Sequence, residues 1–157
     1  MPSPHQRPIR VLFVCHGNIC RSPMAEFVLR EMAERRGVAG RLVVESAATS
    51  SEELGNPVHP GTRRMLAAHG ISCEGKRARR LRADDYDAWD LLIGMDDANV
   101  RNMERLFGGD PAGKVHRLLE YAGSERDIAD PWYTGDFQAT WDDVCDGCEG
   151  LLAFLRL

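Results

Sequence analysis

Cys15, Arg21 and Ser22 lie within eight consecutive residues, in the stretch Val14-Cys15-His16-Gly17-Asn18-Ile19-Cys20-Arg21-Ser22. A thiolate is a strong nucleophile, and a guanidinium offers a planar fork that matches two phosphate oxygens. A hydroxyl such as that of Ser22 can steady the sulfur. Gly17 and Asn18 suit a loop that needs positive φ. If Cys15 ends a strand and residues 16–22 close onto a helix, the loop N–H groups form an anion-binding nest. The helix dipole then favours a thiolate at Cys15. A nucleophile, an anion nest and a guanidinium this close together describe a phosphoryl-transfer site. The nucleotide-holding phosphate loop needs Gly-x-x-x-x-Gly-Lys-Ser/Thr, and no Lys stands here. Taken singly, a strand-end Cys is often a small hydrophobe and an Arg at a helix start is often solvated. The chemical reading rests on their conjunction at this spacing.

The flanking sequence supplies the elements such a loop requires. Ile9 to Cys15 contains an apolar run without alternation, the pattern of a strand buried on both faces. From Ser22 to Arg36 the residues Met24, Phe27, Val28 and Met32 recur at helical spacing, and Gly37 is a stop. Leu42 to Val44 reads as a second strand, with a loop from Ser46 to Pro60. Gly61 to His69 reads as a helix, Asp90 to Gly94 as a strand, and Asp97 to Phe107 as a helix. Lys114 to Arg117 is a short fourth strand, and Phe137 to Leu155 a closing helix after a polar loop over 123–137. This rhythm predicts a single α/β domain over 9–157, preceded by a flexible arm over 1–8. Its centre is a four-stranded parallel sheet with helices on both faces and the phosphate-binding loop after the first strand. Ligands of such sheets bind beyond the carboxyl ends of the strands, where residues 15–22 fall.

The 157 residues are 43% hydrophobic and 28% charged, an ordinary globular mixture. A net charge of −4 argues against binding nucleic acid through a broad basic surface. The polar, proline-broken opening lacks the apolar core of a secretory leader, and no run reads as a membrane span. Five cysteines, an odd number, fit a reducing cytoplasm. Cys145-Asp146-Gly147-Cys148 has thioredoxin-like spacing, but its place in the closing helix favours packing.

The segment from Cys15 to Pro23 resembles the Cys-x5-Arg-Ser loop of low-molecular-weight protein tyrosine phosphatases. The resemblance extends from Val11 to about Leu152 and includes Glu45-Ser46-Ala47, Met95-Asp96 and Asp130-Pro131-Trp132-Tyr133. It implies hydrolysis of phosphotyrosine in protein substrates through a phosphocysteine on Cys15, without metal or cofactor. Asp130 would be the general acid and base. Arg21 and the loop His16, Gly17, Asn18, Ile19, Cys20 and Ser22 would hold the phosphate. Asp130 precedes Pro131, which keeps it extended, and a carboxyl facing a phosphate-filled pocket should have a raised pKa. Trp132 and Tyr133 would wall the pocket against an aryl group. Cys20 would pair reversibly with Cys15 on oxidation. A monomer is expected, with a weak dimer as the alternative.

Three positions depart from the pattern. Glu52 stands where similar chains place an aromatic wall, and a carboxylate there would repel acidic peptides and favour basic or small substrates. Lys76 replaces a histidine that supports the loop. His16 replaces Leu or Thr at the rim. Three other functions share the fold. An arsenate reductase would need relay cysteines near residues 80–95, which hold none. Protein arginine phosphatases carry Thr where this chain has Ile19. A silent phosphate-binding sensor would not need Cys15, Arg21 and Asp130 together.

Overall fold

An uninterrupted apolar run, Val11 to Cys15, lies in strand β1, Ile9–Cys15, in the computed structural model, which describes residues 7–157. β1 pairs in parallel with β2, Leu42–Ala48, on one side and with β3, Leu91–Gly94, on the other. β4, Val115–Arg117, completes the parallel order β2-β1-β3-β4. A central parallel strand is covered on both faces, and β1 shows it: Val11 through Val14 are wholly buried. Val11, Phe13 and Cys15 point into one layer with Met24, Leu29, Val144 and Leu151. Leu12 and Val14 point into the other with Trp89, Leu92 and Met103.

The first layer is built by α1, Arg21–Arg35, and α6, Phe137–Leu155, with α2, Pro60–Ala68, beside them. The second holds α4, Asp97–Phe107, and the short α3, Asp85–Ala88. A further short helix, α5, covers Pro131–Thr134. Helices on both faces of a four-stranded parallel sheet are the architecture the spacing of elements predicts.

Besides single-residue offsets and the short α3, which the sequence reading did not contain, two stretches differ from that reading. β2 continues through Ser46 to Ala48, where a loop was expected, because its backbone keeps register with β1 as far as Cys15↔Ala48. Beyond that pair Ala48 bridges Arg80. The polar loop over 123–137 contains α5, started by Pro131 at its first position. Residues 1–6 of the expected arm lie outside the described residues. Arg7, at its end, donates to both carboxylate oxygens of Asp90, at 3.0 and 2.6 Å.

Candidate active site

The loop after β1 is tied down from beneath before it can hold anything above. Asn18 takes φ +59, the left-handed region that its short amide tolerates. Its side chain is buried and fully used. Nδ2 donates to Ser22 Oγ and Ser46 Oγ, both at 2.8 Å, and Oδ1 accepts the Arg79 N–H at 3.2 Å. Ser46 in turn donates to Glu26 Oε1 at 2.5 Å. Glu26, only 2% exposed, is neutralised by Arg30 at 2.7 Å and Lys76 at 3.1 Å. Lys76 also donates to the Ser46 carbonyl at 3.0 Å. A carboxylate shielded from water is costly unless it is paired in this way.

Cys15 Sγ sits on this base. Ser22 Oγ lies 3.0 Å from the sulfur, and the Asn18 N–H donates to it at 3.3 Å. Helix α1 starts at Arg21 with no side-chain cap and no acid in its first turn. The positive end of its dipole therefore lies at the loop without an internal counter-charge.

Arg21 is 3% exposed and reaches across to elements from the far end of the chain. Its Nη1 donates to Asp96 Oδ2 at 2.7 Å and to the Ile128 carbonyl at 2.8 Å. Nη2 makes a long contact of 3.5 Å with Asp130 Oδ2. Burial alone would lower the guanidinium's pKa, but the field of Cys15, Asp96 and Asp130 outweighs it and the pKa is raised. Arg21 is a fixed cation. Asp130 is extended, at φ −79 and ψ 113, and caps α5 by accepting the Trp132 N–H at 3.1 Å.

These side chains converge on one cavity of about 100 Å³. Cys15, His16, Gly17, Ile19, Cys20, Arg21, Glu52, Asp130, Trp132 and Tyr133, all singled out from sequence, line it together with Glu53. Asn18 and Ser22 do not; they lie beneath the loop and brace it. Trp132 is 57% and Tyr133 82% exposed, so both stand over the mouth rather than in the core. The Trp132 ring meets His59 edge-on, and His59 stacks on Phe137. At the rim His16 Nε2 lies 3.0 Å from Glu52 Oε2. Cys20 is buried, and burial, followed by the fields of Cys15 and Asp130, pushes its thiol up to about 12.

Sequence reasoning assigned no role to Asp96, Glu26, Ser46 or Glu53. Asp96 carried one signal, its place two residues after a strand in an Asp-x-x-Asn capping pattern. The capping box is present, with Asp96 Oδ1 accepting the Asn99 N–H at 2.8 Å. Glu26 carried another, as a lone carboxylate on the apolar side of α1.

Residues 10–157 match the family model described as low molecular weight phosphotyrosine protein phosphatase. The low molecular weight protein-tyrosine-phosphatase YfkJ of Bacillus subtilis is 40% identical over 150 residues, covering 94% of this chain and 96% of YfkJ. PtpA of Staphylococcus aureus is 36% identical over 149 residues, 94% of each chain. The crystal structure of YfkJ superimposes with a TM-score of 0.92 at 40% identity, covering 95% of both chains. A Drosophila arginine phosphatase superimposes with a TM-score of 0.87 at 29% identity, covering 95% of this chain and 99% of that one. The chain belongs to the low molecular weight phosphotyrosine protein phosphatase family.

Proposed function

We propose that this protein hydrolyses phosphotyrosine in protein substrates through a phosphocysteine intermediate. One observation carries the reading: a nucleophile, a fixed cation and a carboxyl face one small cavity whose mouth is walled by two exposed aromatic rings.

In the first step Cys15 Sγ attacks phosphorus in line, the bond to the tyrosyl oxygen breaks, and Asp130 delivers its proton to that oxygen. In the second, water attacks the phosphocysteine, Asp130 takes its proton, and phosphate leaves with return of the thiolate. Arg21 and the N–H groups of the loop hold the equatorial oxygens through both steps. Ser22 Oγ, 3.0 Å from the sulfur, steadies the thiolate as attacking and as leaving group. We extend the proposal to Cys20. After a peroxide takes two electrons from Cys15 to give a sulfenic acid, the Cys20 thiol displaces water and closes a reversible disulfide. Cytoplasmic residence is part of the same reading. It is supported by five free cysteines and by the absence, among the described residues, of a helix long and apolar enough to cross a membrane.

Phosphoarginine hydrolysis is the second reading, prompted by the arginine phosphatase among the structural neighbours. The apolar Ile19 side chain in the cavity wall, with Trp132 and Tyr133 above it, favours an aryl group instead.

The test is hydrolysis of p-nitrophenyl phosphate across pH in the presence of a chelator, with Cys15→Ser and Asp130→Ala beside the parent. The expected result is turnover by the parent, none by Cys15→Ser, and a roughly hundredfold or greater loss in Asp130→Ala. Undiminished turnover by Cys15→Ser would exclude the mechanism. Faster turnover of phosphoarginine than of phosphotyrosine would establish the second reading.

A further inference from the structure

A second groove, of about 440 Å³, opens beside the catalytic cavity, and His16 lines both. The two differ in sign. The cavity wall includes the acidic residues Glu52, Glu53 and Asp130, whereas the ionisable side chains of the groove are His16, Arg80 and Arg105. Leu106, 43% exposed, gives it an apolar patch.

Neighbouring arginines are already committed: Arg79 pairs with Asp85 and Arg82 with Asp84. Arg80 and Arg105 are both exposed and have no acidic partner among the described residues. Arg105 donates only to the neutral Asn102 amide, at 3.2 Å. Two free guanidinium groups in a groove without a carboxylate suit an anionic occupant.

We propose that this groove receives an acidic stretch of the phosphoprotein substrate, adjacent to the phosphotyrosine. The inference rests on the phosphotyrosine reading above. A peptide whose phosphotyrosine enters the cavity passes the rim at His16, and the groove continues from that rim. An extended chain advances about 3.3 Å per residue, so roughly two to four flanking residues fall within its reach. Their Asp or Glu side chains meet Arg80 and Arg105, while Glu52 stays at the rim, 3.0 Å from His16, and does not line the groove. Groove and cavity thus differ in charge: the groove selects acidic residues, and the cavity rim at Glu52 disfavours them. Contacts of this kind act mainly on association rate and fade with salt.

The experiment measures kcat/KM for two phosphotyrosine peptides, one flanked by Asp and Glu and one by Lys. p-Nitrophenyl phosphate, too small to reach the groove, is the reference. The enzymes are the parent, the Arg80→Gln/Arg105→Gln pair and the Arg80→Glu/Arg105→Glu pair. At low salt the parent is expected to favour the acidic peptide by about tenfold, with the preference shrinking at high salt. The glutamine pair loses about fivefold of it and the glutamate pair reverses it, with p-nitrophenyl phosphate turnover unchanged in both. Equal use of the two peptides by the parent, or a preference that survives both pairs, would overturn the proposal. Failure of the parent to hydrolyse p-nitrophenyl phosphate would overturn the phosphatase reading itself, and this inference with it.

Discussion

Lys76 reaches under the phosphate loop to Glu26, its Nζ 3.1 Å from Oε1, and the carboxylate it meets is almost wholly shielded from water. The pair braces Ser46, and through Ser46 the left-handed Asn18 at the turn of the loop. Lys76→Met removes one of Glu26's two cations and leaves Arg30. Breaking a buried pair outright costs about 3–5 kcal/mol, so with Arg30 retained a loss of about 1–3 kcal/mol is expected. The urea midpoint should fall, and inorganic phosphate should inhibit more weakly as the loop loosens. An unchanged midpoint together with unchanged phosphate inhibition would show that Lys76 plays no bracing part.

Asp96 has two tasks that can be separated. One oxygen caps α4 and the other holds Arg21. Asp96→Asn keeps the shape and the cap but removes the charge facing the guanidinium. It is expected to lower kcat about tenfold while unfolding at nearly the parent's midpoint. Asp96→Ala loses the cap as well, which should cost about 1 kcal/mol of stability. Equal kcat in Asp96→Asn and the parent would show that Arg21 needs no such positioning.

The Tyr121 hydroxyl is buried without a hydrogen-bond partner among the described residues. Its ring, against Phe154 and His116, carries the packing. Tyr121→Phe removes an unsatisfied polar group and leaves the ring. It should raise stability by up to about 1 kcal/mol, read as a higher Tm. A lower Tm would mean that the hydroxyl has a partner in solution.

Alkaline pH should unfold the protein early. Burial, then neighbouring negative charge, pushes the thiols of Cys20 to about 12 and Cys145 to about 11, against an ordinary 9.0. Burial raises Cys148 and Tyr121 in the same direction. Above pH 9.0 the unfolded chain gives up these protons while the folded chain keeps them. Stability therefore falls as pH rises, being complete below about 9 and lost progressively toward 12. Denaturant midpoints under reducing conditions at pH 8, 9.5 and 10.5 (chosen as about the span of the effect) should decline, and Cys20→Ser should flatten the slope. A flat profile in the parent would contradict the burial of these thiols.

The order of elements and the phosphate loop were legible because their signals are contiguous. β1 is an unbroken apolar run, and Cys15, Asn18 and Arg21 follow it in one stretch. Asp130 was legible through its proline and the family resemblance. The end of β2 was not: Ser46, Ala47 and Ala48 have little strand character, and their pairing is imposed by β1. The brace of Glu26, Lys76 and Ser46 joins residues 20 to 50 positions apart, which only the folded chain brings together. The glycines of α6 were equally opaque. A Cβ on Gly150 would come within 2.0 Å of the Tyr121 carbonyl, so this helix glycine marks a close backbone crossing.

A covalent phosphocysteine on Cys15 can be trapped. Asp130→Ala, slowed in the hydrolytic step, is mixed with p-nitrophenyl phosphate, quenched within the first turnovers and examined by intact and peptide mass spectrometry. One added phosphoryl group is expected, located on Cys15 and absent from Cys15→Ser. A phosphoryl group found on His16 or Ser22, or p-nitrophenol released by Cys15→Ser at the parent's rate, would contradict the phosphocysteine mechanism.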